Sequence, residues 1–131
     1  MNFKPYIYAV IASGLSMFIL AGVWHELLMA HFYESEAHAS HGGTGIIFVS
    51  YFILASLMVF FYMQSFKKRP SLLSNLKFGI FMGLLWVFPH ELAMAGAHDT
   101  SIIYVIKNAA WHMVEQGIGG IVLGVVFWKV V

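Results

Sequence analysis

Apolar residues run through this chain in four blocks: roughly Tyr6 to Ala30, Gly45 to Phe66, Leu76 to Ala97 and Asn108 to Trp128. A helix of about 20 apolar residues crosses the ~30 Å hydrocarbon layer of a bilayer, and each block meets that length. Lipid supplies no hydrogen-bond partners, so backbone inside it must pair within helices. The pattern therefore predicts an all-α integral membrane protein: a four-transmembrane-helix bundle forming a single domain over residues 1–131.

The polar residues are sorted between the two ends of such a bundle. Lys4, Lys67, Lys68, Arg69, Lys77 and Lys129 fall on one side, and only Lys107 on the other. The positive-inside rule then places both termini and the Lys-Lys-Arg-Pro turn in the cytoplasm. All seven histidines (25, 31, 38, 41, 90, 98 and 112) fall in the opposite, outer half. Glu34, Glu36 and Asp99 lie in the outer connections, and Glu26, Glu91 and Glu115 in the outer or middle parts of spans. The inner half holds neither acid nor histidine, so one polar site reached from outside is expected rather than a continuous polar path.

The string His-Glu-Leu-x-Met-Ala occurs at residues 25–30 and again at 90–95. It predicts two repeated helical hairpins, 1–66 and 72–131, joined by a cytoplasmic linker at 67–71. Each unit has two spans, so the repeats share one orientation about a pseudo-two-fold axis along the membrane normal. Their His-Glu pairs are then expected to face one another. Gly45 and Gly117 match only loosely in this alignment. Gly79 with Gly83, and Gly120 with Gly124, form GxxxG pairs that let helix backbones approach closely. Pro89, directly before His90, is expected to weaken its helix and re-aim the pair.

Composition narrows the function classes. The chain is 60% hydrophobic and 10% charged, against about a quarter charged in soluble domains. It has no cysteine, which excludes disulfides, thiolate metal sites and iron–sulfur clusters. A net charge of +1, with no basic patch beyond the one topology explains, gives no sign of nucleic acid as a partner. The first apolar block is too long for a cleavable signal peptide and lacks a small-residue cleavage site. The expected partner is a lipid bilayer, that of a bacterial inner (plasma) membrane.

Counted along ideal helices, His90 stands about 20 Å from Lys77 and Glu115 about 21 Å from Lys129, with His25 slightly farther out. His25, Glu26, His90, Glu91, His112 and Glu115 are therefore expected to share one layer. Three histidines and three glutamates from three helices are the ingredients of a metal site with nitrogen and oxygen donors. His112 and Glu115, three apart, share a face. His25 and Glu26 are adjacent, as are His90 and Glu91, so neither pair chelates one ion from a rigid helix. The span at Gly45 to Phe66 offers only Ser50 and Tyr51. The loop histidines His31, His38, His41 and His98 are read as solvated, or as gathering metal at an entrance. His-Glu-Leu is not a zincin signature, because Met29 and Met94 stand where that motif needs a second histidine.

In its ingredients, though not in its sequence, this set resembles the di-iron carboxylate bundles. Those use Glu-x-x-His on two helices, whereas here the order is His112 then Glu115. The expected function is a membrane-embedded metalloprotein with a mono- or dinuclear iron or zinc centre. Iron implies oxidoreductase chemistry with an electron donor the sequence does not reveal, and zinc implies activation of water. A small substrate or ion would enter from the outer side.

Two other readings belong to different classes. In one, His25 and His90 clamp a haem b for electron transfer, although a haem needs no buried carboxylates beside it. In the other, the chain is an ion or proton transporter. The apolar inner half opposes that reading unless the chain forms a homo-oligomer around a larger pore.

Overall fold

The computed structural model describes residues 3–31 and 43–131, and among these it contains helices and no strand. Helix α1 covers Lys4–Gly22 and continues as a π-helical segment, Val23–Leu28. Helix α2 covers Thr44–Ser65, α3 Leu72–His98 and α4 Ile102–Val130. With the π-helical segment included, each is long and apolar enough to cross a membrane. The spans begin earlier than hydropathy suggests, by four residues in α3 and six in α4, because capping rather than lipid contact sets their starts. The Ser71 hydroxyl accepts from the Ser74 N–H, and the Ser101 hydroxyl from the Ile103 N–H. Between α3 and α4 the chain turns over Asp99, whose left-handed backbone (φ 55°) ends α3.

The helices run antiparallel in sequence, but they do not pack as four equal neighbours. The closest interface joins α3 to α4, followed by α1 with α4 and α1 with α2. Helix α4 thus stands between α3 and α1, while α2 touches α3 and α4 only lightly. The α3–α4 seam is the one the GxxxG pairs anticipate. A Cβ at Gly79 would run into the Gln116 backbone, and one at Gly83 would come within 2.6 Å of the His112 carbonyl oxygen. Gly120 faces the Asn75 carbonyl oxygen and Gly124 the Asn75 side chain. Gly45 has nothing near it while Gly117 packs on Leu76 and Ile80, so the two do not share an environment.

Toward the basic end, Tyr62 of α2 is fully buried and donates to Asn75 Oδ1 of α3 at 2.7 Å. Phe66, Phe78 and Phe127 surround its ring. This contact closes α2 against the α3–α4 pair at one end. Pro89 does not break α3, which stays helical from Leu72 to His98 through the proline.

Candidate functional site

About half way along its length, α4 buries a carboxylate. Glu115 is 0% exposed. Its Oε2 accepts a hydrogen bond of 3.0 Å from the Tyr51 hydroxyl of α2. Phe18 of α1 packs edge-on against the Tyr51 ring and holds it in place. The other carboxylate oxygen, Oε1, has no hydrogen-bond partner, and neither does His112 Nδ1, 3.7 Å away. That separation is too long for a hydrogen bond, which spans about 2.7–3.2 Å. It suits two donors of one ion: atoms each ~2.1 Å from a metal lie about 3.3–3.7 Å apart at angles of about 105–125°.

His25 reaches the same region from α1. It stands within electrostatic range of both His112 and Glu115. Two local features accompany it. The π-helical turn, closed by the Met29 N–H on the Trp24 carbonyl, fits an extra residue into the helix and rotates the residues beyond it. Trp24 lies flat on Trp111 of α4, with ring centroids 4.2 Å apart and planes 2° from parallel. The next residues in the chain after these two tryptophans are His25 and His112. The sequence signal was the Trp-His dipeptide, at 24–25 and again at 111–112, which reasoning from the His-Glu-Leu string passed over. Gln116 was also missed. It is fully buried with its Oε1 against Gly83 of α3, and neither amide atom has a hydrogen-bond partner.

The structure divides the six sequence-predicted residues. His112 and Glu115 come together with Tyr51, and His25 stands within electrostatic range of the first two. Glu26, on the same turn as His25, is exposed. His90 and Glu91 line a different pocket with Met94, His98, Thr100 and Tyr104, about 320 Å³ in volume. They do not share a layer with Glu115. Gly83 lies against His112 and Met113, so His90, seven residues on, comes level with about Val105, roughly 10 Å along the helix from His112. The His25 and His90 pairs do not face each other either, because α1 packs on α4 and α2 rather than on α3. Among the described residues, no three His, Asp or Glu side chains stand as an assembled metal site. Ser50 is exposed and donates to the Ile47 carbonyl within its own helix. His38, His41, Glu34 and Glu36 lie outside the described residues.

Fold and site together describe four helices, each long and apolar enough to cross a membrane, with a buried His/Glu/Tyr cluster about half way along α4. No protein-family profile, characterised protein or solved structure matches the chain.

Proposed function

We propose that this chain is a membrane-embedded metalloprotein whose ion is held by His112, Glu115 and His25. The observation that carries this reading is the pair of buried atoms without a hydrogen-bond partner, His112 Nδ1 and Glu115 Oε1, set 3.7 Å apart. A buried carboxylate costs several kcal/mol unless a cation or proton meets it, and one hydrogen bond from Tyr51 offsets only part of that. His25, within electrostatic range of both, is the third donor in this reading. Two histidines and one carboxylate are the donors of open non-haem iron(II) sites and of catalytic zinc sites. Iron or zinc bound there supplies redox chemistry or an activated water respectively. Tyr51 fixes which carboxylate oxygen faces the ion, and the Trp24–Trp111 stack keeps the two histidines level.

In this reading both termini and the Lys-Lys-Arg-Pro turn are cytoplasmic, the membrane is a bacterial plasma membrane, and the ion enters from outside. The repeated His-Glu-Leu-x-Met-Ala string is the trace of a duplicated hairpin. One copy supplies His25 to the ion and the other forms the His90–Glu91 pocket on the entry side. A cysteine at Asp99 labelled by an impermeant reagent in intact cells, with one at Lys68 labelled only after permeabilisation, supports this orientation. The opposite pattern reverses it.

Elemental analysis of detergent-purified protein tests the metal reading. The expected result is about one iron or zinc per chain, lost in Glu115→Gln and in His112→Ala. Metal-free protein of unchanged stability after loading attempts sinks it.

An ion or proton path is the second reading, favoured by the buried Gln116 and by the Tyr62–Asn75 pair, which continue polar groups toward the basic end. The haem reading, with His25 and His90 as the clamp, gains no such support, since α1 packs on α4 and α2 rather than on α3. A Soret band in the purified protein would restore it.

A further inference from the structure

Lys4, Lys67, Lys68, Arg69 and Lys129 gather in one layer at the end of the bundle away from His90. Contacts between the helices fix their levels. A Cβ on Gly14 of α1 would lie 3.4 Å from the Ala55 side chain of α2, and Met17 of α1 packs on Gly119 of α4. Toward the basic end, Lys4 lies about 15 Å from Gly14, and Lys67 about 18 Å from Ala55. By the second contact, Lys4 lies about 20 Å from Met17, and Lys129 about 15 Å from Gly119. Lys4, Lys67 and Lys129 therefore stand within about 5 Å of one level. Lys68 and Arg69 follow Lys67 into the turn before α3, and every one of these bases is exposed.

No acid among the described residues accompanies them. Glu26, Glu91 and Asp99 belong to the other end of the helices, and Glu115 is about 21 Å along α4 from Lys129. The positive-inside bias accounts for the bases sharing a side. It does not account for the missing acids, which contribute little to that bias. Packed helix axes stand about 8–10 Å apart, close to the Debye length of about 8 Å at physiological ionic strength, so the bases of this layer reinforce one another's field. Aromatic residues mark its depth. Tyr6, whose hydroxyl donates to the Ser56 carbonyl, follows closely on Lys4, and Trp128 adjoins Lys129. Tyrosine and tryptophan collect at the headgroup level of a bilayer, where the lipid phosphates lie. Lys67 is engaged with its own helix, its Nζ donating to the Met63 carbonyl at 3.1 Å.

We propose that Lys68, Arg69 and Lys129 hold the phosphates of anionic phospholipid headgroups, so that the protein selects such lipids around its basic end. A free phosphate shares this chemistry, but the depth of the layer favours an anion that belongs to the bilayer. Near an anionic membrane surface each lysine or arginine strengthens binding about fivefold, the equivalent of about 1 kcal/mol. The inference rests on the four helices spanning a bilayer and is independent of any ion at Glu115.

Spin-labelled phosphatidylglycerol and phosphatidylcholine, in bilayers reconstituted with the full chain, test it, because lipid held at a protein surface gives a motionally restricted spectrum. Averaged over all lipids around the bundle, wild type is expected to restrict phosphatidylglycerol about threefold more than phosphatidylcholine. Salt at 1 M, where the Debye length is about 3 Å, is expected to remove most of that preference. The triple variant Lys68→Gln, Arg69→Gln, Lys129→Gln is expected to bring the two lipids within about 1.5-fold of each other, while Lys107→Gln, at the other end, keeps the wild-type ratio. Arg69 stands within electrostatic range of Tyr62, so Lys68→Gln with Lys129→Gln replaces the triple variant if that one fails to reconstitute. Equal restriction of both lipids by wild type overturns the proposal. So does a preference that survives the triple variant, or one lost equally in Lys107→Gln. A preference abolished by millimolar inorganic phosphate at constant ionic strength assigns the bases to a free anion and overturns the proposal as well.

Discussion

Trp24 lies flat against Trp111, with ring centroids 4.2 Å apart and planes 2° from parallel, and this contact fixes which histidines meet. Each tryptophan is followed by a histidine, so the stack sets His25 of α1 level with His112 of α4. Trp24→Ala is expected to cost about 2 kcal/mol, combining a lost aromatic pair with lost packing. It should also weaken metal binding at least tenfold, because His25 is no longer held in place. Trp24→Phe should recover most of both. Thermal melting and a competitive chelator titration measure the two effects.

Tyr51 donates to Glu115 Oε2 at 3.0 Å. Tyr51→Phe removes that bond and keeps the ring, so a loss of about 1 kcal/mol is expected. Metal affinity should fall severalfold, as the carboxylate is no longer held with Oε1 toward His112. Both the histidines and the carboxylate must give up protons to bind a cation, so acidification should release the metal and restoring neutral pH should return it. Release that is independent of pH would show that other donors hold the ion.

His90 and Glu91 line a pocket apart from Glu115. Glu91→Ala and His90→Ala are therefore expected to leave the equilibrium metal content of the purified protein unchanged, while Glu115→Gln abolishes it. Under the proposed entry past this pocket, the rate of metal loading should slow in the first two. Equal metal loss in all three variants would put both pairs in one centre and contradict the helix packing.

The α3–α4 seam depends on glycine because backbone meets backbone there. Gly79→Ala places a methyl group against the Gln116 backbone, and overpacking of this kind is expected to cost about 1–3 kcal/mol. Gly96→Ala, on the same helix with nothing within 4 Å, should be neutral or slightly stabilising. Denaturant or thermal unfolding in detergent compares them directly.

Length and hydropathy alone determine the four helices, since twenty apolar residues in lipid have no other way to pair their backbone. The glycine seam was equally legible, because Gly79, Gly83, Gly120 and Gly124 recur at helical spacing. His112 and Glu115 could be paired for the same reason: a contact within one helix comes directly from the 3.6-residue period. The tertiary structure decided the rest. Counting residues inward from Lys77 and Lys129 assumed that both lysines mark one level. Yet Asn75 packs against Gly120 and Gly124, so Lys77 lies roughly 15 Å along the helices from Lys129. That offset moves His90 and Glu91 out of the layer of Glu115. The repeated His-Glu-Leu string suggested that α1 would face α3, but α4 stands between them. Close glycine packing holds it to α3 and the tryptophan stack holds it to α1. Helix neighbours and their relative register come from contacts between residues far apart in the chain, and no local spacing encodes them.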